Sequence, residues 1–293
     1  MREDDLRESS NIEDRRGSPG LGGGVRAGGL GVGAIVALSL IGWALGINPA
    51  VLINGAEQVT GGGPIVSQNA PARPTVQGTP SDQVGQFVAR VLGETEDVWS
   101  QELPREAGKQ YVPPTLVLFS GVTPSGCGSA EAAMGPFYCP LDRKLYLDTS
   151  FFQDMQRRMG GGGGDFAYAY VIAHEVGHHV QNLLGLLPKV QAAERQADQA
   201  TANDLSVRTE LMADCLAGVW ANHMNERHRN IDEADLQQAA NTAAAIGDDR
   251  ISQAASRAVV RDSFTHGSSQ QRVQWLVTGL RTGTIAGCNT FQQ

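Results

Sequence analysis

Hydrophobic residues recur every three or four positions in several segments of this chain, and this spacing predicts amphipathic helices. Four such segments cover about 82–103, 166–184, 204–225 and 233–246. Two apolar runs, "PTLVLFSG" and "KLYLDTSFF", have the length and composition of strands instead. A helix, then short strands, then mainly helices is the order expected of an α+β fold that is mainly helical with a small sheet.

The N-terminal part of the chain has a different pattern. Residues 1–28 carry charges and then glycines without an apolar period, so we expect a disordered tail. The uncharged stretch at 29–53 has the length of a single transmembrane helix. Arginines precede it and the next basic residue is Arg73, which predicts a single-pass protein with a cytoplasmic N-terminus and a periplasmic or extracellular body. The alternative, a cleaved signal peptide, would have a shorter apolar region and an Ala-x-Ala-type site.

The segment at 54–81 is rich in Gly, Pro and small polar residues, which predicts a flexible linker. The folded domain is therefore expected at 82–293. A chain of 293 residues with 41% hydrophobic content can form one such core beside these segments. The net charge of −8, without a stripe of Lys or Arg, disfavours nucleic acid as a partner.

An HExxH motif lies within the helix predicted at 166–184. His174 and His178 are one helical turn apart, so both imidazoles can reach one zinc ion. Glu175 is offset by one residue and can act as the base that takes a proton from a metal-activated water. His179 breaks this face and is expected to be no ligand. The alternative is a surface helix with unrelated histidines, but the apolar residues around the motif give the helix a core face.

A catalytic zinc site has three protein ligands and one open position. The metzincin spacing is excluded because position 184 is Leu. The segment "TELMADCLAGVWANH" offers Glu210 and Asp214 on one face of a second helix. Glu210 can bind zinc, and Asp214 can accept a hydrogen bond from a ligand histidine's other ring nitrogen. The alternatives for the third ligand are Glu194, Asp198, Asp214 and His223.

Near the C-terminus, "DSFTHGSSQQRVQWL" places His266 in a loop just before a helix that starts near Ser268. A histidine there can stabilise the oxyanion that forms when water attacks a carbonyl, and we treat it as a catalytic candidate. The alternative is a capping or core histidine. Tyr138 and Tyr146 are weaker candidates for the same role. The run "KLYLDT" could be an edge strand that pairs with an extended peptide substrate.

The four cysteines allow three pairings. We favour Cys127–Cys139, which is local, and Cys215–Cys288, which would fix the C-terminus. Disulfides are consistent with an exported domain. The alternative is four reduced, buried cysteines.

The body from about 84 to 291 resembles the family described as "Putative neutral zinc metallopeptidase". The matching stretches include "YVPPTLVLFSG", "GPFYCPLDRKLYLD", "YVIAHEVGHHVQ", "ELMADCLAGVWA" and "DSFTHGSSQQR". The resemblance implies a zincin-like fold, a Zn²⁺ cofactor and peptide hydrolysis. Carried onto this chain, it implies His174, His178 and Glu210 as ligands and Glu175 as base. The charged N-terminal tail lies outside the resemblance.

The function predicted from these features is that of a membrane-anchored zinc metallopeptidase, which hydrolyses peptide or protein substrates outside the cytoplasm. A non-catalytic zinc-binding envelope protein is one alternative, although a structural zinc site has no need of Glu175 and usually has a fourth ligand. A zinc amidase acting on cell-wall peptides is another, because it attacks the same kind of carbonyl.

Overall fold

The computed structural model describes residues 1–3, 5–17, 75–152, 164–254 and 259–292. The strands are β1 (Ile12–Asp14), β2 (Val76–Gln77), β3 (Thr115–Phe119), β4 (Val122–Ser125), β5 (Gly128–Glu131), β6 (Phe137–Cys139) and β7 (Lys144–Asp148). The helices are α1 (Gln83–Ala107), α2 (Asp165–Leu183), α3 (Leu186–Glu194), α4 (Gln199–His228), α5 (Glu233–Ala245), α6 (Asp248–Ala254) and α7 (Ser269–Thr282). The α+β class, mainly helical with a small sheet, is confirmed.

Five strands form a mixed sheet in the order β2-β1-β3-β7-β6. β1, β3 and β7 are parallel to one another, whereas β2 and β6 pair antiparallel at the two edges. The prediction that "KLYLDT" could be an edge strand is wrong, because β7 is hydrogen-bonded to β3 on one side and β6 on the other. The edge beside the HExxH helix is β6.

Side chains alternate between the two faces of β3, as expected for a strand. Leu116 and Leu118 join the main core against the helices. Val117 and Phe119 join a smaller cluster on the opposite face, together with Ala130 from β5. Both faces of this strand are therefore buried, which explains its continuous apolar sequence.

Residues 1–3 and 5–17 contradict the disorder predicted for 1–28, whereas 18–28 lie outside the described residues. One compact unit contains Met1–Gly17 together with Thr75–Gln293. β1 lies between β2 and β3, and Ile12 is fully buried. The domain start predicted at residue 82 is therefore too late. The sequence signal failed because a three-residue strand has no readable period and its partners lie far along the chain.

The transmembrane helix predicted at 29–53 and most of the linker predicted at 54–81 lie outside the described residues. Among the helices in the described ranges, none is both long and apolar enough to cross a bilayer. The end of the predicted linker is not simply a connector, because Val76–Gln77 form the edge strand β2.

Helix α4 packs against both α2 and α7. A Cβ added at Gly177 of α2 would lie 3.0 Å from the Ala213 carbonyl oxygen of α4, so these two backbones approach closely. A Cβ at Gly279 of α7 would overlap the carbonyl of Cys215. Small residues at the crossings thus set the helix spacing.

Both predicted disulfides are present. Cys127 and Cys139 join the turn after β4 to the edge strand β6. Cys215 and Cys288 join α4 to the C-terminal segment. The second bridge crosses 73 positions of sequence and fixes the chain end to the helix that carries Glu210.

Candidate active site

The packing of α2 against α4 brings three sequence-predicted metal ligands together, from well inside both helices. His174 Nε2 lies 3.1 Å from Glu210 Oε2, and His178 Nε2 lies 3.4 Å from Glu210 Oε1. One ligand atom from each of the three residues lies within 4.8 Å of the others. Zinc–ligand bonds of about 2.0–2.1 Å in a tetrahedral site separate neighbouring ligand atoms by about 3.3 Å. The donor set and its spacing therefore fit a zinc ion.

The other ring nitrogen of each histidine is held by a neighbour. His174 Nδ1 donates to Asp214 Oδ1 at 2.8 Å. His178 Nδ1 donates to Gln181 Oε1 at 3.0 Å, and the amide nitrogen of Gln181 donates to the Thr209 carbonyl at 2.7 Å. These bonds orient both rings so that their Nε2 atoms point at Glu210. The structure thus places Asp214 where a supporting hydrogen bond was predicted.

Asp214 is fully buried and is the centre of a wider network. Arg272 of α7 contacts both carboxylate oxygens, with Nε at 2.8 Å from Oδ2 and Nη2 at 2.9 Å from Oδ1. The Tyr170 hydroxyl donates to Oδ1 at 2.6 Å. A buried carboxylate needs such partners, because an unpaired one would be costly to desolvate. The network locks α2, α4 and α7 around the candidate metal site.

The charges of the site favour a bound cation. Burial lowers the pKa of His174, but the carboxylates of Asp214 and Glu210 outweigh this and raise it to about 10. Burial raises the pKa of Glu210, but the two histidines outweigh this and hold it well below its usual range. The site thus stabilises positive charge strongly between its histidines and carboxylates, as a metal site requires.

Glu175 lies on the cleft side of α2, next to the two histidines. Burial raises the pKa of its carboxyl above the ordinary value, although His174 and His178 act in the opposite direction. The backbone of Tyr138 in β6 also acts to lower the pKa of this carboxyl. A raised pKa suits a group that must accept and then release a proton.

The His266 ring lies at the rim of the same cleft and is half exposed. Its Nδ1 donates to Asp248 Oδ1 at 3.1 Å. The other oxygen of Asp248 accepts the backbone N–H groups of Thr265, His266 and Gly267 at 2.8, 2.6 and 3.0 Å. One carboxylate at the start of α6 therefore holds both the loop and the ring. Because Nδ1 is occupied, Nε2 is the atom free to face a substrate.

The two weaker tyrosine candidates are occupied elsewhere. The Tyr138 hydroxyl donates to His179 Nδ1 at 3.0 Å and accepts from Asn182 at 2.9 Å. The Tyr146 hydroxyl donates to Asp142 at 2.6 Å. Burial lowers the pKa of His179 to about 4, so this ring is neutral. Its Nδ1 can therefore accept the hydrogen bond from Tyr138. Both hydroxyls thus have hydrogen-bond partners within the protein.

The other candidates for a third ligand lie outside the histidine cluster. Glu194 borders the cleft, and Asp198 is an exposed cap at the start of α4. His223 lies 13 positions beyond Glu210 on α4, or about 20 Å along the helix. It forms a second cluster with Glu102 and Glu106, but Arg105 already pairs with both carboxylates.

Sequence reasoning missed three residues that the fold brings to the site. Arg272 reaches Asp214 from α7, Asp248 holds His266, and Gln181 orients His178. For Gln181 the signal was its position three residues after His178 on the same helix. Arg272 and Asp248 gave no local signal, since their partners are 58 and 18 positions away.

The cleft has a volume of about 710 Å³ and runs between β6, α2 and the His266 loop. The HExxH helix of this α+β body faces a glutamate on a second helix, and both line the cleft. These features are typical of proteins with a catalytic zinc site. The chain belongs to the "Putative neutral zinc metallopeptidase" family, whose model matches residues 1–291. The match includes the charged N-terminal residues, so the expectation that they lie outside the resemblance is wrong.

Two relatives show how far the similarity extends. The chain is 45% identical over 296 residues to "Uncharacterized protein YpfJ" of Escherichia coli (strain K12), which covers 99% of both chains. It is 44% identical over 203 residues to "Uncharacterized protein Rv2575" of Mycobacterium tuberculosis (strain ATCC 25618 / H37Rv), which covers 66% of both. No solved structure matches the chain.

Proposed function

We propose that this protein is a zinc-dependent peptidase with a zincin-like active site. The observation that carries the proposal is the convergence of His174, His178 and Glu210, with Glu175 beside them in an open cleft. A purely structural zinc site would need no such carboxylate and would usually be closed by a fourth ligand. Belonging to the neutral zinc metallopeptidase family supports the same class of activity.

His174, His178 and Glu210 would hold the ion, and Zn²⁺, when bound, polarises a carbonyl and activates water at neutral pH. Glu175 accepts the proton of the attacking water and delivers it to the leaving amine. Protonated His266 donates through Nε2 to the developing oxyanion, while Asp248 fixes its orientation. Asp214 and Arg272 keep the His174 ring in place.

A peptide substrate suits the edge strand β6. This strand pairs with β7 on one side, and its other side borders the cleft through Phe137 and Tyr138. An extended peptide can add to such an edge through main-chain hydrogen bonds, and its alternate side chains would then face the cleft. The apolar lining from Val190, Ile246 and Phe151 favours a bulky apolar side chain in the substrate.

We also propose that the protein works at a membrane, outside the cytoplasm. The apolar stretch at 29–53 supports membrane attachment. The two disulfides support an oxidising compartment for the body, such as the periplasm or cell exterior. The acidic net charge of −8 supports a partner other than nucleic acid.

The test compares zinc content and hydrolysis in full-length wild type, Glu175→Gln and Glu194→Gln. We expect about one zinc per chain in all three, because neither substitution removes a ligand. Hydrolysis of a broad peptide library should fall by about 10²–10⁴-fold in Glu175→Gln, since the proton acceptor is lost. The matched control Glu194→Gln changes another glutamate at the cleft and should keep wild-type activity.

The outcomes separate the candidate functions. Wild type that holds zinc but cleaves neither peptides nor cell-wall peptides would overturn the hydrolase proposal in favour of a non-catalytic zinc protein. Cleavage of cell-wall peptides alone would identify an amidase. Equal activity in wild type and Glu175→Gln would remove Glu175 from the mechanism.

A further inference from the structure

The N-terminal segment is built into the body as an interior part of the sheet. β1 pairs with β2 on one side and with β3 on the other. Ile12 and Ser9 are fully buried, and Leu6 is 6% exposed. Without β1, the backbone of β3 would lose its partner on that side and become an open edge.

The buried carboxylate of Glu96 on α1 binds side chains of this N-terminal segment. Its Oε1 accepts the Ser9 hydroxyl at 2.6 Å and the Asn11 amide at 2.7 Å. Its Oε2 pairs with Arg7 Nη2 at 2.8 Å. All three named partners come from the N-terminal segment. A carboxylate that is only 5% exposed would be left without these partners if the segment were elsewhere, which is strongly unfavourable.

Gly93, one turn before Glu96, gives the segment room. A Cβ at this position would overlap the carbonyl of Arg7 and lie 3.1 Å from the Ser9 nitrogen. Ser9 in turn donates its backbone N–H to the Ala89 carbonyl at 2.9 Å. The surface of α1 is therefore shaped, as well as charged, to receive residues 7–11.

The described residues on either side of 18–74 lie at one corner of the sheet. Asp14 lies opposite Val76 in the antiparallel pair, and the Gly78 N–H donates to the Ile12 carbonyl at 2.9 Å. Arg16 bridges the two sides by pairing with both Asp14 and Asp82. Chain that leaves β1 thus returns to the neighbouring strand of the same sheet.

We propose that residues 1–17 lie on the same side of the membrane as the disulfide-bonded body, so that the segment at 18–74 begins and ends on that side. This rests on the membrane attachment proposed above. A single crossing at 29–53 would separate its ends by a hydrocarbon core of about 30 Å. It would place β1 and β3 in different compartments, which their pairing forbids. The predicted combination of a cytoplasmic N-terminus with a body outside the cytoplasm is therefore incompatible with this sheet.

Site-specific labelling of the full-length protein in cells tests the proposal. Ser10→Cys reports on the N-terminal segment and Gln101→Cys on the body, because both positions are exposed. The four native cysteines are all in disulfides and should not react. A membrane-impermeant maleimide is added before and after permeabilisation. We expect both positions to react under the same condition.

The outcomes distinguish this proposal from the proposed localisation. Labelling of Gln101→Cys in intact cells, with Ser10→Cys labelled only after permeabilisation, would overturn the shared side. Labelling of both only after permeabilisation would support the shared side but overturn the location outside the cytoplasm. Recovery of the whole protein in the soluble fraction, with both positions reacting alike, would remove only the membrane attachment.

A cross-strand disulfide tests the docking directly. Glu13 lies opposite Gln77, so the double variant Glu13→Cys/Gln77→Cys should form a bridge in the full-length protein. The matched control Glu13→Cys/Val76→Cys is displaced by one residue, which directs the second side chain to the other face, and should bridge far less. Equal bridging in both, or none in either while the body stays folded, would contradict the docked strand.

Discussion

Glu210 and Asp214 carry the same charge one turn apart on α4, but their surroundings give them different roles. In the described part of the chain, Glu210 contacts the Nε2 atoms of His174 and His178 and faces the cleft. Asp214 is closed off by Arg272 and Tyr170 and contacts only the far nitrogen of His174. The first carboxylate can therefore bind a metal, while the second can only orient a ligand.

Zinc retention distinguishes Glu210 from its alternative His223. Glu210→Ala should lower zinc affinity by at least about 100-fold, since removing even a supporting group typically costs 10–100-fold. His223→Ala, on the same helix but in the other cluster, should keep the zinc content of the wild type. The measurement is metal content after dialysis against a graded chelator. Unchanged zinc in Glu210→Ala would exclude it as a ligand.

Deprotonation of His266 should cause the loss of kcat on the alkaline side (the alkaline limb) of the pH–rate profile. Removal from bulk water in the cleft lowers its pKa, but Asp248 and the charge of Glu210 outweigh this and raise it above the ordinary value. The protonated ring is the donor, so activity is present below this pKa and falls as pH rises through it. Asp248→Asn should shift that limb to lower pH and reduce kcat by about tenfold or more.

A pH–rate profile of kcat for wild type and Asp248→Asn, beside His266→Ala, checks this prediction. His266→Ala should lack the limb altogether. If Asp248→Asn merely lowers activity at every pH without moving the limb, Asp248 would be structural and would not position a protonated histidine.

At the scale of elements, the site depends on how closely α4 approaches its two neighbours. Gly177 and Ala213 meet where α2 crosses α4, and Gly218 and Gly279 meet where α4 crosses α7. Ala213 of α4 faces α2, whereas Gly218 of the same helix faces α7. These crossings bring ligands, the supporting aspartate and Arg272 from three helices to one place.

Overpacking at the α4–α7 crossing should cost stability. In Gly279→Ala the new Cβ would overlap the Cys215 carbonyl, so the helices must separate. We expect a loss of about 1–3 kcal/mol in the free energy of unfolding, measured by denaturant titration of the full-length protein. Val277→Ala on the same helix changes an exposed residue and should have little effect. Equal stability of Gly279→Ala and wild type would show that the crossing is not tight.

At the scale of the whole molecule, the N-terminal and C-terminal segments are both attached to the body. The N-terminal strand completes the sheet, and the Cys215–Cys288 bridge fixes the C-terminal segment to α4. The body therefore cannot be defined as 82–293, because a fragment starting there would leave Glu96 without Arg7, Ser9 and Asn11.

The two disulfides should differ in their contribution to stability. The bridge Cys215–Cys288 closes a loop across 73 positions and Cys127–Cys139 one across 12. Chain entropy then predicts losses of about 4 and about 3 kcal/mol when the respective pair is replaced by alanine. Unfolding of the two double variants in denaturant measures this order. A larger loss from the shorter loop would show that local packing outweighs loop closure.

The sequence by itself determined the features that depend on neighbours along one element. The HExxH spacing places two histidines and a glutamate on α2, and the spacing of Glu210 and Asp214 places two acids on one face of α4. Helical period, cap residues and strand composition are local properties, which explains why these elements could be predicted. The cysteine spacing was also sufficient to favour the pairing that the structure contains.

Only the tertiary structure decided which distant residues meet. It placed β7 inside the sheet, brought Arg272 to Asp214 and Asp248 to His266, and inserted β1 between β2 and β3. Such contacts join positions up to about a hundred residues apart, and neither periodicity nor propensity carries information on them. The N-terminal strand is the clearest case, because it has only three residues. Its stability depends on contacts of the N-terminal segment with α1 and on pairing with the neighbouring strands.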